Sequence, residues 1–335
     1  LEALALIMLL SAASIAIAGG IKTAAGGGGY GTLQLLLNEN YGLYEGSIMS
    51  TVGIAIIPLI LWYRRHGTIF PPDWRVTTFC FALCFACMLL PIGTQARTGL
   101  VCLAVLAVLS LRAVQHRFLY IAGAGLLAIA AIPFLPQSFT ERMETIQGYK
   151  SDQSASTRVA VWAWTWEYAK EHPFGGGFEA YIQNRLRVET TGSGYDPDNP
   201  QNAETAVHDE QSRAYHSSYF EMLGEQGYPG LAMWLLLHII GIVQMERLRR
   251  RYLKTRRAEE QWIAPLATAL QHGHIIYMVG SLFVGIAFQP FIYMMLALEM
   301  GLSTYCRRRE QEAGWRPLTA RPAQVPARHT LPDSR

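Results

Sequence analysis

The chain has 335 residues and a formal net charge of +3, and 51% of its residues are hydrophobic. Charged residues make up only 16% of the sequence, well below the roughly 25% that is usual in soluble globular proteins. The composition therefore argues against a soluble globular protein, and the small net charge gives no indication of a nucleic-acid partner.

Apolar stretches that are long enough to cross a hydrocarbon core of about 30 Å recur along the chain. We identify eight, at residues 2–19, 47–63, 77–92, 96–112, 118–135, 229–245, 262–283 and 285–304. Residues 1–19 lack the basic flank that begins a signal peptide, so we interpret them as a span. Leu1 stands within this apolar run without an initiating Met, so we expect further sequence upstream. The pattern predicts an all-α fold, a polytopic transmembrane helical bundle with one long, mostly helical loop.

The predicted organisation has four parts. Residues 1–136 hold about five spans, 137–228 form the long polar loop, 229–305 hold about three spans, and 306–335 form a tail. The tail is rich in Pro, Arg and Ala from about Ala313 onward, a composition that favours disorder. The glycines at 26–29 form a flexible turn rather than a phosphate loop, because no Lys-Ser/Thr pair follows them.

Lysine and arginine residues cluster in alternate connections, which predicts the orientation of the spans. The basic residues lie after the second, fourth, sixth and eighth spans: Arg64, Arg65, Arg75, Arg112, Arg117, the cluster from Arg247 to Arg257, and Arg307–Arg309. If the spans alternate, all of these lie on one side, which the positive-inside rule assigns to the cytoplasm. The long loop then lies on the outer side, and it is acidic, with 7 Lys and Arg against 14 Asp and Glu.

The cysteines all lie in spans or at the cytoplasmic end, so we predict no disulfide. The spacing of Cys80, Cys84 and Cys87 would permit a metal site, but such a site would lie in lipid without a path for the ion. In the loop, His208-Asp209-Glu210 could also ligate a metal. We favour neither, and we predict no metal and no cofactor.

The first predicted helix of the loop covers residues 157–171. Ser154 and Ser156 are its candidate N-caps, and His172-Pro173 ends it before the glycines at 175–177. Residues 190–206 have the Gly, Asp, Asn and Pro content of an irregular segment.

The second predicted helix of the loop opens at Ser218. Ser218 and Glu221 have the spacing of a capping box, and Gly227 ends the helix. Pro229 then begins the next span, at a position where proline is tolerated.

Arg97 lies in the run Thr94-Gln-Ala-Arg97-Thr-Gly99, at the outer mouth of an apolar span. A charge at that depth costs a few kcal/mol unless it reaches the interface or a partner. A side chain that snorkels to the interface would explain it, but the positive-inside rule disfavours arginine on this side. We therefore favour an anion ligand.

Arg158 follows Ser156-Thr157 and would lie in the first turn of the predicted helix, where the helix dipole disfavours a cation. An anion held between the guanidinium and the free backbone N–H groups would reverse this penalty, and an exposed salt bridge is the alternative. The same helix carries Trp162, Trp164, Trp166 and Tyr168. These residues suit the headgroup zone, so we expect the helix to lie on the outer membrane surface.

His216 directly precedes the second predicted helix. A helix N-terminus disfavours an imidazolium, so we expect this ring to stay neutral and able to accept a proton. That property suits a general base acting on a sugar hydroxyl. A purely structural role is the alternative.

Four motifs together resemble the O-antigen ligase superfamily, whose members join or polymerise lipid-linked glycans at the outer face of the bacterial inner membrane. They are the Thr-Gln-Ala-Arg97-Thr-Gly span opening, the Ser-Thr-Arg158-x-x-x-Trp162 helix, the turn from His172 to Gly177, and the His216-Ser-Ser-Tyr-Phe-Glu221 run. Their order matches over residues 75–245, and residues 37–40 also resemble exosortase-associated O-glycosylation ligases. Members commonly have more spans than the eight identified here, so the resemblance implies further spans upstream.

The resemblance implies a GT-C-like membrane glycosyltransferase that acts by metal-independent, inverting transfer. The donor would be a glycan on undecaprenyl diphosphate, and the acceptor would be a sugar of lipid A-core. Arg97 and Arg158 would bind the diphosphate, and His216 would take the proton from the acceptor hydroxyl. The protein would be a multi-pass protein of the bacterial cell inner membrane, surrounded by membrane lipid, with loop 137–228 and its active site facing the periplasm.

Several alternatives stay open at this point. An O-antigen polymerase or a protein O-oligosaccharyltransferase would share the donor site. A polytopic transporter or flippase would carry charges within its spans and broken helices, whereas the charged residues here collect outside the spans. A non-catalytic membrane anchor would need no neutral histidine at a helix start.

Overall fold

The computed structural model describes residues 1–25, 45–113, 115–131, 153–191 and 205–314. Within these ranges the chain forms nine α-helices and a two-stranded sheet. The helices are α1 (Glu2–Ala24), α2 (Gly46–His66), α3 (Trp74–Gly93), α4 (Arg97–Ser110), α5 (Arg117–Ala131), α6 (Gln153–Glu171), α7 (Ser218–Tyr252), α8 (Ile263–Gly280) and α9 (Pro290–Gly314). The strands are β1 (Arg185–Thr191) and β2 (Thr205–Gln211).

Each of the predicted spans overlaps a helix, although the last helix begins only at Pro290. Helices α1, α2, α3 and α7 are long and apolar enough to cross a membrane, and α4 is a shorter apolar helix. Helix α5 ends at Ala131, and the rest of its predicted span lies outside the described residues, as do the glycine-rich turn at 26–29 and the tail from 315. The predicted all-α polytopic bundle is confirmed.

Helices α2 and α8 form the centre of the bundle. Both are buried on nearly every side, as is typical of a helix enclosed by others, and they carry fully buried side chains such as Ile54 and Ile276. Gly280 of α8 lies directly against the side chain of Thr51 of α2, where a Cβ would collide. Small residues at such crossings let two backbones approach closely, which strengthens packing in membrane bundles.

Ion pairs gather at the end of the bundle where α4, α7 and α9 end. A carboxylate oxygen of Glu246 lies 2.8 Å from Arg112 and 2.9 Å from Arg249. Glu310 of α9 lies 2.8 Å from Arg251. Three of the arginines that the sequence assigns to one side of the membrane, Arg112, Arg249 and Arg251, therefore lie at one end of the bundle.

Glu299 departs from the predicted separation of charges. It lies within α9 with 0% exposure, and it is hydrogen-bonded to His274 of α8. The expectation that charged residues collect outside the spans is therefore wrong at this position, because a histidine on a neighbouring helix satisfies the carboxyl group.

The long loop contains a β-hairpin in addition to α6. Strands β1 and β2 pair antiparallel, from Arg185 opposite Gln211 to Thr191 opposite Thr205. The two strands cover both ends of the segment predicted to be irregular, and its centre at 192–204 lies outside the described residues. A short strand whose partner lies beyond a Gly- and Pro-rich connection gives little periodic signal.

Two helix boundaries differ from those predicted. Helix α6 begins at Gln153, so Ser154 and Ser156 lie inside it and are not its caps. Arg158 consequently lies in the second turn rather than the first, away from the free N–H groups that were expected to bind an anion beside it. Helix α9 continues to Gly314, past the predicted end of the last span at 304.

Gly227 divides α7 into a short helix before it and a long helix after it, as predicted. Its backbone angles are φ 67° and ψ −168°, a conformation that favours glycine because it has no Cβ. Gly227 lies directly against the carbonyl oxygen of Pro173. The N–H of Tyr228 donates to the same oxygen at 3.0 Å.

The glycine turn that follows α6 covers the break in α7. The N–H groups of Gly176 and Gly177 donate to the carbonyls of Gly224 and Glu225, at 2.9 and 3.0 Å. The side chain of Glu225 in turn accepts from the N–H of Glu179 at 3.0 Å. The carbonyls that a helix break leaves unsatisfied are thus bonded to the loop.

Gly227→Ala should lower the free energy of unfolding by about 1–3 kcal/mol from backbone strain, with a further loss from the collision of its Cβ with Pro173. The matched control is Gly177→Ala, which has φ 84° but no atom within 4 Å of the added Cβ. The control should lose only the strain component. Equal losses in the two variants, measured by unfolding in detergent, would contradict the collision argument.

Candidate active site

His216 lies in the connection between β2 and α7, in a left-handed backbone conformation with φ 48°. Ser217 is the N-cap residue of α7, so the histidine directly precedes the helix, as predicted. The N–H of Ser218 donates to the carbonyl of Ser281 at 2.8 Å. The start of α7, and with it His216, is therefore attached to the end of α8.

Ser218 and Glu221 do not form the predicted capping box, since α7 has no side-chain cap hydrogen bond. The Ser218 hydroxyl donates to the carbonyl of Val284 at 3.0 Å and accepts from the N–H of Ile286 at 2.9 Å. Oε2 of Glu221 accepts from the N–H of Ala287 at 3.0 Å. Both side chains are used by the connection between α8 and α9, so the capping-box prediction is wrong.

Trp162 joins α6 to the segment that carries His216. Its indole N–H donates to the carbonyl of Tyr215 at 2.8 Å. Its ring stacks on that of Phe220, with the centroids 5.1 Å apart. Because Trp162 contacts residues on both sides of His216, α6 holds the histidine from the side of the loop.

Arg158 lies about one turn before Trp162 on α6. Its charge acts on His216 and also on Glu45, the residue that precedes α2. Burial raises the pKa of the Glu45 carboxyl, and the Arg158 guanidinium opposes that rise. The structure thus brings Arg158 and His216 together, with Glu45 as a neighbouring group. Glu45 was not predicted as part of the site, and its only signal in the sequence is its position at the start of a span.

The pKa of His216 is lowered from 6.5 to about 4. Burial is the largest cause because it disfavours the charged ring, and the charges of Arg158 and Arg213 act in the same direction. The neutral ring predicted from the helix terminus is thus also favoured by burial and by two neighbouring arginines. A neutral imidazole can accept a proton from a hydroxyl group.

Arg97 is the first residue of α4, where the sequence predicts the opening of a span. The start of α4 packs closely on α2 and α3. A Cβ on Gly99 would lie 2.7 Å from Cβ of Ser50 and 2.6 Å from Cγ of Pro91. The hydroxyls of Ser50 and Thr94 are hydrogen-bonded at 3.1 Å, which fixes the turn before α4.

A continuous chain of contacts links the start of α4 to the start of α7. Thr51 of α2 lies against Gly280, and the next residue, Ser281, accepts a hydrogen bond from the start of α7. Arg97 and His216 consequently lie at the same end of the bundle. The ion-paired ends of α4, α7 and α9 lie at the other.

The aromatic residues of α6 do not share one environment. Trp162 is directed toward the segment 215–220, and Trp164 stacks on Tyr168 with centroids 4.7 Å apart. Trp166 is 50% exposed. The expectation that all of these residues face the headgroup zone is wrong for Trp162, because its N–H and its ring are both used inside the protein.

Glu210, one of the three candidate metal ligands at 208–210, forms an ion pair instead. Glu210 lies 2.8 Å from Nε of Arg213 and accepts from the hydroxyl of Thr157 at 3.2 Å. Within the described ranges, no group of three or more His, Cys, Asp or Glu side chains is placed to hold a metal ion. The five cysteines are free and buried.

Two cavities lie near the C-terminal end of α2, away from His216. One, of about 340 Å³, is lined by Trp62 and Trp262. The other, of about 350 Å³, is lined by Tyr63 and Arg75. Neither contains a residue that the sequence analysis assigns to the site.

Two family profiles match the chain. Residues 1–68 match a family of unknown function, DUF5935. Residues 79–235 match the O-antigen ligase family, Wzy_C, in a range that contains Arg97, Arg158, His216 and the break at Gly227. This part of the chain is similar to the O-antigen ligase superfamily. The resemblance drawn from the sequence motifs is therefore confirmed.

This similarity, together with the membrane-length helices, indicates a multi-pass membrane protein. It also supports an enzyme that carries out glycosyl transfer of the ligase or polymerase type. A search of curated proteins gives no match.

Trp162→Phe should lower glycosyl-transfer activity more than stability. The variant loses the hydrogen bond to Tyr215 but keeps an aromatic ring against Phe220, so the free energy of unfolding should fall by only about 1 kcal/mol. The backbone beside His216 loses one of its two attachments. The matched control is Trp166→Phe, at a half-exposed position on the same helix. Equal activity in the two variants would show that Trp162 does not position His216.

Proposed function

We propose that the protein is an O-antigen ligase that transfers a glycan from undecaprenyl diphosphate to a sugar hydroxyl of lipid A-core. The reaction is metal-independent and inverting, and it takes place at the periplasmic face of the bacterial inner membrane. The observation that carries the proposal is the half-buried, neutral His216 within the electrostatic reach of the Arg158 guanidinium, at one end of an apolar helical bundle. The superfamily match supports the class of reaction.

Arg158 is suited to bind the donor diphosphate. A guanidinium stays charged and can bind phosphate oxygens through two parallel hydrogen bonds. Its Nε is buried and has no hydrogen-bond partner within the part of the chain that the structure describes. Arg97 adds a second guanidinium at the first turn of α4, where the helix dipole also favours an anion. Together they would stabilise the charge that develops on the leaving diphosphate, by several kcal/mol.

His216 would act as the general base. The acceptor oxygen attacks the anomeric carbon from the face opposite the diphosphate, the bond from that carbon to the phosphate oxygen breaks, and His216 takes the hydroxyl proton. Such a base contributes about 10²–10⁴-fold to the rate.

Binding of the donor would also activate this base. Arg158 and Arg213 lower the basicity of the His216 ring, and the negative charge of a bound diphosphate would offset them. His216 would therefore become a stronger base only when the donor is in place.

The arrangement across the membrane follows from the charges. Loop 137–228 faces the periplasm in this proposal, because the arginine-rich connections and the tail from 306 face the cytoplasm. The undecaprenyl chain lies among the apolar spans, with its diphosphate near Arg97 and Arg158.

The identity of the acceptor substrate is tested by reconstitution of the reaction. The purified protein is supplied with the lipid-linked donor and one of three acceptors: lipid A-core, a second lipid-linked glycan, or a Ser/Thr-rich protein. We expect product on lipid A-core, with the same yield in the presence of a chelator. Product on the second glycan would indicate a polymerase, and product on the protein would indicate an oligosaccharyltransferase. Loss of product with chelator would contradict a metal-independent reaction.

Arg158→Lys should lower kcat/KM for the donor roughly 10²-fold, because an ammonium keeps the charge but not the paired hydrogen bonds. The matched control is Arg187→Lys, at an exposed position on β1, which should keep the wild-type rate. A wild-type rate in Arg158→Lys would mean that Arg158 acts only as a structural partner of Glu45.

His216→Ala should abolish transfer while membrane insertion stays intact.

The pH dependence of kcat/KM should reflect the lowered pKa of His216. A ring with a pKa of about 4 is neutral at all higher pH values, so kcat/KM should stay constant down to about pH 5 and fall only near pH 4. The lowered pKa of His216 also makes the free energy of unfolding depend on pH. Below pH 6.5 the histidine binds a proton in the unfolded chain but not in the folded one. The free energy of unfolding therefore falls as the pH falls from 6.5 toward 4. If kcat/KM instead fell already near pH 6.5, the pKa of the His216 ring would not be lowered in the folded protein.

A further inference from the structure

Three titratable side chains form a hydrogen-bonded chain inside the bundle, each from a different helix. Nδ1 of His238 on α7 lies 2.8 Å from Nε2 of His274 on α8. Nδ1 of His274 lies 2.9 Å from Oε1 of Glu299 on α9. Their exposed fractions are 1%, 0% and 0%. The mechanism at His216 uses none of them.

The hydrogen-bonded series of three side chains does not continue beyond either of its ends. Nε2 of His238 and Oε2 of Glu299 have no hydrogen-bond partner within the described ranges. Oε2 of Glu299 faces Gly241 of α7, where there is no room for a Cβ. The ring of Trp234 meets that of His238 edge to face, with centroids 4.5 Å apart. The three side chains are therefore enclosed by apolar and small groups.

The direction of the hydrogen bonds fixes the charge of the group. If Glu299 is a carboxylate and both histidines are neutral, His274 must donate to it from Nδ1. His238 must then donate from its own Nδ1 to Nε2 of His274. In that arrangement the three side chains together carry one uncompensated negative charge.

One additional proton removes this charge. His274 then donates from Nε2 to Nδ1 of His238, and His238 carries its hydrogen on Nε2. The remaining proton is shared between Glu299 and Nδ1 of His274, on either atom. The group is neutral overall, which is strongly favoured in an apolar interior.

We propose that Glu299, His274 and His238 form a proton-binding site that holds one proton and joins α7, α8 and α9 as an uncharged unit. The ligand is a proton taken from water, and no other reactant is needed. The site does not depend on the proposed glycosyl transfer. It does act on the same helices that hold His216, since α7 begins beside that residue and α8 ends beside Ser218.

Few other titratable groups face the site from the helices around it. On α8, His272 comes shortly before His274, and on α4 the thiol of Cys102 lies 3.8 Å from the carbonyl of Ile276. Helix α2 presents Thr51 and Ala55 to α8, and neither titrates. The charged groups that act on His272 belong to the ion-paired end: Arg112, Arg249 and Glu246.

Equilibrium unfolding in mixed detergent micelles tests the site between about pH 7.5 and 9.5. In this range the unfolded chain holds no proton on these groups, so unfolding releases the bound proton and stability falls as the pH rises. Glu299→Gln cannot ionise, but its amide can still donate to Nδ1 of His274. We expect the unfolding constant of the wild type to rise about tenfold more per pH unit than that of Glu299→Gln, the effect of one proton.

Glu310→Gln is the matched control, because Glu310 lies on the same helix but is ion-paired at its accessible end. Its pH dependence should parallel that of the wild type. Parallel curves for the wild type and Glu299→Gln would overturn the proposal.

Nitrogen NMR of histidine-labelled wild-type protein tests the site without relying on the folding of a variant at Glu299. The His238 signals are assigned by their loss in His238→Gln. At pH 8 a loaded site with its proton between Glu299 and His274 places the hydrogen of His238 on Nε2, whereas a proton on Oε2 of Glu299 leaves it on Nδ1. Carbon NMR of glutamate-labelled protein distinguishes the second case from an empty site. A hydrogen on Nδ1 of His238 together with an ionised Glu299 would mean that the proton is absent, and it would overturn the proposal.

Discussion

The backbone around His216 is held at two points, and the rest of the site is placed relative to it. Trp162 bonds to the carbonyl of Tyr215 on one side, and Ser218 bonds to the end of α8 and the connection after it on the other. A left-handed conformation is unfavourable for a residue with a Cβ, and it persists here because both neighbours are fixed. Arg158 comes with the helix that carries Trp162. Arg97 is placed through the contacts of α2 with α4 and α8.

The sequence predicts the spans well because their signal is local. A run of apolar residues long enough for a bilayer is visible without knowledge of its neighbours, and Gly227 with Pro229 identifies the break in α7 for the same reason. The capping box fails because distant backbone groups near Ile286 use the side chain of Ser218. The hairpin and the start of α6 also depend on long-range pairing, and residue spacing does not report it.

The candidate site was predictable in its residue types but less so in its electrostatics. Arg97 stands out because the positive-inside rule disfavours arginine on the outer side, and Arg158 and His216 stand out because each lies beside a predicted helix start, where a cation is unfavourable. The neutrality of His216 comes mainly from burial, which depends on the packing of α6 against the start of α7. Glu45 and Glu299 were missed for a related reason. Each is a single acid in or beside an apolar stretch, and its partner lies on another helix.

The junction between the glycine turn and the break in α7 makes the loop and the spanning helix one mechanical unit. The carbonyls released at the break are bonded to the turn, and Gly227 itself is in contact with Pro173. The close approach at Gly227 leaves no room for a Cβ, so a segment exchanged on either side must keep this backbone geometry. A chimera with a relative is therefore expected to fold best when residues 173–177 and 218–230 come from the same parent. Inheritance of these two segments is coupled even though some forty residues of chain separate them.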